Sequence, residues 1–369
     1  MKRYAKKFMV TALALTMSLG LAACGAKTEQ PAGEQPAGEE PAQTQEVAGE
    51  ALGVTMITDT GGVNDQSFNQ SAYEGLKALE EELGSEKVKI SFQESKQDSD
   101  YIPNLETALD GGNALIWGIG FKFGDILKAA AEENPDQKYG IIDYSYGDET
   151  PENVVGILFK DQENSFLVGY VAGRMTQTGK VGFVGGVTSQ AIANFEYGFK
   201  AGVAMAAKEL GKEIEVNAQY AEAFGDPAKG KAIATTMYQQ GADIVFHAAG
   251  GTGDGVIEAA KEANKWVIGV DRDQSYLAPE HMLVSTIKGV GQAIQLVSKD
   301  LIENDKFDGG TTLVYGLSDS AVDIAFAQNG LVTDDVKEAT EMLKQKVVDG
   351  SITVPVDEAG FKAFVEALK

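Results

Sequence analysis

The chain has 369 residues and a formal net charge of −24, from 55 acidic and 31 basic side chains. Such a surface repels phosphate backbones and anionic headgroups, which argues against nucleic acid and against a basic-patch membrane contact. A single cysteine closes off any internal disulfide framework, and two histidines far apart in sequence give no His/Cys pattern for a zinc site.

The first residues read as a targeting segment rather than as part of a fold. Lys2, Arg3, Lys6 and Lys7 form a basic start, and residues 8–21 an apolar run too short to span a bilayer comfortably. It leads into Leu21-Ala22-Ala23-Cys24, a lipobox, so the expectation is a signal peptide over 1–23 and a lipidated Cys24. Its removal takes away four positive charges and no negative ones, which leaves the mature chain more acidic still. Residues 24–50 contain QPAGE twice, at 30–34 and 35–39, with Pro, Gly, Glu and Gln and few apolar groups. Such a stretch cannot bury a core and is expected to be a disordered acidic tether.

From Ala51 onward short apolar runs alternate with amphipathic segments. Strands are expected near 52–58, 87–93, 113–118, 138–143, 154–159, 180–185, 213–219, 242–247, 266–271, 282–287 and 311–316. Runs such as KYGIIDY and KWVIGVD, set between helices, indicate parallel sheets covered on both faces. In the first helix, read as 66–83 with Asp65 as its cap, Phe68, Ala72, Leu76, Leu79 and Leu83 repeat on one face. Another helix opens at Asp226-Pro227. About 320 residues hold more strands than one small sheet needs, so two α/β lobes sharing a cleft are expected. The division falls near Lys160, with a return near residues 286–289. The lobes comprise 51–160 plus about 289–316, and 161–288 plus about 317–369.

In such sheets ligands sit beyond the carboxyl ends of the strands. Those ends carry Asp59, Asn64, Asp65, Phe68 and Asn69, then Asp143, Phe224, Gly250, Asp271 and finally Lys288. Carboxylates accept N–H and O–H donors, two phenyl rings sandwich a flat ring, and one Lys beside Asp suits vicinal hydroxyls. A phosphate would call for more Arg or Lys, or for a P-loop. The ligand expected from these residues is neutral, flat at one end and hydroxylated at the other. Each residue also has a plainer reading: Asp65 and Asp226 as helix caps, Phe68 as core, and the Gly61-Gly62 pair as a turn.

The motifs DTGGVNDQSFNQSAYEGL, GIGF, IID, GFKAGV, FGDPAKGK and VIGVDRDQS resemble the basic membrane protein family, bacterial purine nucleoside-binding lipoproteins of ABC transporters. The resemblance runs from Leu52 to the C-terminus. It implies a type I periplasmic-binding-protein fold with two Rossmann-like lobes, parallel sheets and three crossing strands. It implies a cofactor-free, non-enzymatic receptor, anchored by lipid on the outer face of the cell membrane and expected as a monomer, which hands nucleosides such as guanosine, adenosine or inosine to a permease. By position, Asp59 resembles the base-binding acid, Phe68 and Phe224 the stacking rings, and Gly250, Asp271 and Lys288 the ribose-side groups, with Asp143 as a further acid. Phe195 is a rival for the second ring. The HAAGGTGDG loop departs from the family at His247 and an extra alanine.

Three other readings stay open. A pentose or furanose receptor would need the rings and Asp59 less. A nucleosidase would use an acid pair. A surface-interaction protein would have no use for a polar cleft. A dinucleotide enzyme is disfavoured, because the G-x-G-x-x-x-G run at 118–124 follows the third strand and lacks the required spacing. No G-x-S-x-G elbow is present.

Overall fold

The computed structural model describes residues 51–368; the expected signal peptide, Cys24 and the tether lie outside them. The first part of the chain runs β1 (Leu52–Ile57), α1 (Phe68–Leu83), β2 (Val88–Gln93), α2 (Tyr101–Asp110), β3 (Leu115–Gly118), α3 (Gly124–Glu133), β4 (Lys138–Ile142) and β5 (Val154–Phe159). The second runs α4 (Asp161–Met175), β6 (Lys180–Gly185), α5 (Gln190–Leu210), β7 (Glu215–Tyr220), α6 (Pro227–Gln239), β8 (Ile244–Ala248), α7 (Thr252–Ala263), β9 (Trp266–Gly269) and β10 (Met282–Lys288). The chain closes with α8 (Val290–Asn304), β11 (Thr311–Tyr315), β12 (Val322–Phe326), α9 (Asp334–Val348) and α10 (Glu358–Leu368).

Two six-stranded sheets result, ordered β11-β5-β4-β3-β1-β2 and β12-β10-β9-β8-β6-β7. All pairings in the first are parallel. In the second only β12 runs against its neighbour, β10. Apart from Lys138 at the start of β4 and His247 in β8, the central strands are buried runs of apolar and aromatic residues, as sheets covered on both faces require. The chain passes between the sheets three times: at Lys160, at Gly289, and between β11 and β12. This is the two-lobed α/β architecture that the alternation implied.

Helices pack closely where small residues allow it. A Cβ on Gly75 of α1 would stand 2.2 Å from the Gly291 carbonyl of α8, and one on Gly202 of α5 would stand 1.9 Å from the Phe166 carbonyl of α4. The return into α8 thus brings that helix back onto the first lobe.

Two local expectations need correction. Helix α1 begins at Phe68 rather than at 66, because Gln66 takes a left-handed φ of +52°. Asp65 still closes the helix end: its carboxylate accepts from the amides of Ser67, Asn69 and Gln70 at 2.9–3.0 Å. Strand β12 was not foreseen. It is an antiparallel edge strand in which Val322, Ile324 and Phe326 alternate with Asp323 and Ala325, unlike the continuous apolar runs of the buried strands. Asp226 caps α6 as expected, accepting from the Lys229 amide at 3.0 Å, with Pro227 in the first turn.

Candidate functional site

The carboxyl ends of β1, β3, β4, β7, β8, β9 and β10, with the start of α5, surround a cavity between the sheets. Its position between the lobes suits a small organic ligand. Eight of the nine expected site residues line it: Asp59, Phe68, Asn69, Asp143, Phe224, Gly250, Asp271 and Lys288. Asn64 does not. It is exposed on the turn, and its backbone carbonyl accepts from the Gln66 side chain. An Asn one residue before the Asp65 cap serves the chain reversal, which is why its type drew attention.

Asp59 is held rigidly. Its Oδ1 accepts from the Gly61 amide at 2.8 Å and from Asn69 Nδ2 at 2.7 Å, while its own amide donates to Asn69 Oδ1 at 3.1 Å. Asn69 Nδ2 also reaches Asp65 Oδ2 at 2.9 Å. Asn69 is thus spent on aiming Asp59, and Asp65 on capping the helix. Asp59 Oδ2 accepts no hydrogen bond from the described residues. Burial pushes the Asp59 carboxyl up to about 7, with Asp65 adding to the rise and the Gly61 and Asn69 bonds opposing it. Gly120 lies alongside at φ +113°, a conformation closed to other residues, so backbone borders the ligand there.

The other polar centre is Lys288. Its ammonium is 2 % exposed and donates to Asp143 Oδ2 at 2.7 Å and to Asp161 Oδ2 at 3.0 Å. The rings of Phe68, Phe159 and Phe195 lie 5.2, 5.2 and 5.5 Å from it. Burial alone would lower its pKa, but Asp143, Asp161 and Asp271 outweigh burial and hold it above its ordinary value. An ammonium has three N–H donors and two are taken, which leaves one for a ligand hydroxyl. Asp271 Oδ2 accepts from Ser67 Oγ of the first lobe at 2.5 Å, and burial pushes that carboxyl up to about 6.

Phe68, Phe121, Phe195 and Phe224 all line the cavity. Phe224 packs edge-on to Phe121 with centroids 6.4 Å apart. Phe195 is 2 % exposed and also packs on Phe246 in the core. Two further residues stand at the cavity or beside its cation, and sequence position alone does not mark them. Phe121 closes the GIGF motif, and nothing in the sequence marks its ring as facing the cavity. Asp161 is the first acid after β5 and the first residue of α4, where an acid is ordinary; burial holds its carboxyl well above the usual range, and its Oδ1 has no partner among the described residues. Among the described residues, no group of three or more His, Cys, Asp or Glu side chains is placed to hold a metal ion.

This fold and cavity define a two-lobed solute-binding protein. Comparison with known proteins narrows the class. Residues 53–358 match the Bmp family, described as ABC transporter substrate-binding protein PnrA-like, and the chain belongs to that family. It is 39 % identical over 317 residues to basic membrane protein A of Borreliella burgdorferi, covering 85 % of this chain and 90 % of that protein. It is 40 % identical over 322 residues to the ABC transporter nucleoside-binding protein BmpA of Lactococcus lactis, covering 82 % and 89 %. A crystal structure of an ABC transporter solute-binding protein from Aeropyrum pernix matches with a TM-score of 0.77 at 28 % identity, over 86 % of this chain and 97 % of that one. A periplasmic ribose ABC transporter protein from Conexibacter woesei, with a TM-score of 0.53 and 17 % identity, shares the fold. Proteins of this class act outside the cytoplasm and bind a solute without converting it, so the chain is a substrate-binding protein and not an enzyme. Among the described residues, no helix is long and apolar enough to cross a membrane.

Proposed function

We propose that this protein captures a purine nucleoside between its lobes and delivers it to an ABC permease, from the outer face of the membrane where a lipid on Cys24 holds it. One observation carries the reading: Asp59 with an uncommitted oxygen, the Phe68 and Phe224 rings, and Lys288 with an uncommitted N–H all line one cavity. A base edge with N–H donors meets Asp59, the base face lies between rings, and ribose hydroxyls meet Lys288, Asp271 and the backbone at Gly250. Gly250 has φ +54°, which keeps that turn close to Phe224 without a side chain in the cavity. Stacking of a base on a ring is worth about 1–3 kcal/mol. The nucleoside-binding name of the Lactococcus relative points the same way.

Calorimetry on residues 51–369, stripped of co-purified ligand by unfolding and refolding, tests this with guanosine, adenosine, cytidine, ribose and free guanine. Tight purine nucleoside binding with weak ribose binding is expected. Binding of ribose alone moves the protein to the sugar receptors and returns Phe68 and Phe224 to the core. Release of free base makes it a nucleosidase. For the anchor, Cys24→Ser is expected to move the protein from the membrane fraction to the medium.

A further inference from the structure

A run of hydrogen bonds crosses between the lobes behind the ligand cavity, which it meets only at Val270. Gln274, fully buried after β9, has its amide orientation fixed by two backbone groups. Its Oε1 accepts from the Val270 amide at 2.9 Å, and its Nε2 donates to the Gln66 carbonyl in the first lobe at 3.0 Å. With the amide oxygen thus identified, His247 Nε2, 3.1 Å away, carries the proton, because two lone pairs would otherwise face each other. The imidazole is itself fully buried and braced: a Cβ on Gly253 would stand 2.1 Å from its Nδ1.

Further contacts join the same two segments. Gln66 Oε1 accepts from the Tyr276 hydroxyl, and Arg272 Nη1 meets Glu74 Oε1 at 3.1 Å. Gln66 sits at φ +52°, a geometry that is unfavourable for a non-glycine residue and persists where its surroundings hold it. None of Gln66, Glu74, His247, Arg272, Gln274 and Tyr276 lines the cavity. The three bonds that cross, Gln274 to Gln66, Tyr276 to Gln66 and Arg272 to Glu74, exist only while residues 66–74 and 272–276 are together, so they add to the closed state alone and act on ligand escape.

We propose that Gln274, fixed by the Val270 amide and braced by His247, is a positioning residue that latches the lobes and sets how long a bound nucleoside is retained, whichever nucleoside it is. The proposal rests on the nucleoside reading above, and it absorbs the His247 departure that the family resemblance left over.

The test is stopped-flow dissociation of guanosine from wild type, Gln274→Met and Tyr276→Phe. Gln274→Met removes three side-chain bonds, one of which, to the Gln66 carbonyl, crosses between the lobes, and loss of that one predicts about ten-fold faster dissociation. Tyr276 is 52 % exposed, and Tyr276→Phe should give about a three-fold acceleration without disturbing the fold. Association rates and the order of affinities among guanosine, adenosine and inosine should not change. Unchanged dissociation in both variants, or an altered order, overturns the latch. If Gln274→Met does not fold, Tyr276→Phe carries the test alone. If guanosine binds none of the proteins, the nucleoside reading fails, and the latch is judged by small-angle scattering of the ligand-free proteins. A larger radius of gyration in the variants then supports it, and equal radii overturn it.

Discussion

Asp143 and Asp271 occupy matching places in the two lobes. Each follows the third strand of its sheet, β4 or β9, and each has a left-handed backbone, at φ +61° and +66°. Both act on Lys288: Asp143 accepts from its ammonium, and the Asp271 carbonyl accepts from its amide at 2.9 Å. The internal symmetry of the fold thus delivers one acid from each lobe to a single cation, and Asp161, the first residue of the second lobe, adds a third.

Lys288→Met should therefore destabilise the protein strongly. Removing one partner of a buried ion pair leaves uncompensated charge and costs about 3–5 kcal/mol. The loss should shrink at acid pH, because Asp161 and Asp271 already have raised pKa values and protonate readily once the ammonium is gone. Urea denaturation at pH 7.5 and 5.0 measures both effects. A loss below about 1 kcal/mol at pH 7.5 would show that the cluster adds little to folding.

Asp59 sets a pH dependence of its own. Its folded pKa of about 7 lies above the ordinary 3.8 of an Asp carboxyl, so the native state binds more protons between those values. Stability of the ligand-free protein from this group should rise as pH falls, by about 2 kcal/mol from pH 7.5 to 5.5. Binding runs the other way. The carboxylate is the form that accepts a base N–H, so guanosine affinity should fall below pH 7, by up to about ten-fold per unit. Asp59→Asn should flatten both profiles. A wild-type affinity that stays level from pH 7.5 to 5.5 would remove Asp59 from base recognition.

The lobes and most of the acids were legible because buried parallel strands read as unbroken apolar runs, and a charged residue directly after such a run stands out. Asp59, Asp143 and Asp271 were found in that way. Lys288 came with them as a lone cation at a strand end. Asp161 escaped because an acid at the start of a helix is ordinary, and its burial is fixed only when the chain crosses between lobes. Phe121 escaped because a ring on a short turn after β3 has no periodicity to mark which way it faces. Asn64 was included for its residue type, and the structure gives it to the turn. Strand β12 shows the same limit: its five residues alternate, and its place at the sheet edge is decided by β10.

Gly120 gives a test of backbone approach. Its φ of +113° is barred to L-residues, and a Cβ there would lie 3.7 Å from the Phe68 ring and 3.8 Å from Asp59. The space admits a methyl group and the backbone does not. Gly120→Ala should lower stability by about 1–3 kcal/mol and weaken nucleoside binding by shifting Asp59 and Phe68. Thermal melts and calorimetry check the pair of effects. Full stability with intact affinity would mean that the turn relaxes freely and does not help to shape the site.

Phe224 and Phe195 are separable by experiment, because burial divides their roles. Phe195 is 2 % exposed, touches Phe246 and stands 5.5 Å from the Lys288 ammonium, so Phe195→Ala opens a core cavity and should cost about 3–5 kcal/mol of stability. Phe224 lies on the loop after β7, half-buried, with Phe121 at its edge. Phe224 is partly buried against the second lobe's core, so Phe224→Ala should lower stability less than Phe195→Ala does, and it should weaken purine nucleosides by about 1–3 kcal/mol while ribose binding stays as it was. If Phe224→Ala binds guanosine as tightly as wild type does, the second stacking ring is Phe195 or Phe121. Phe121→Ala then decides between them, since Phe121 sits in the short turn after β3 and its removal spares the second lobe's core.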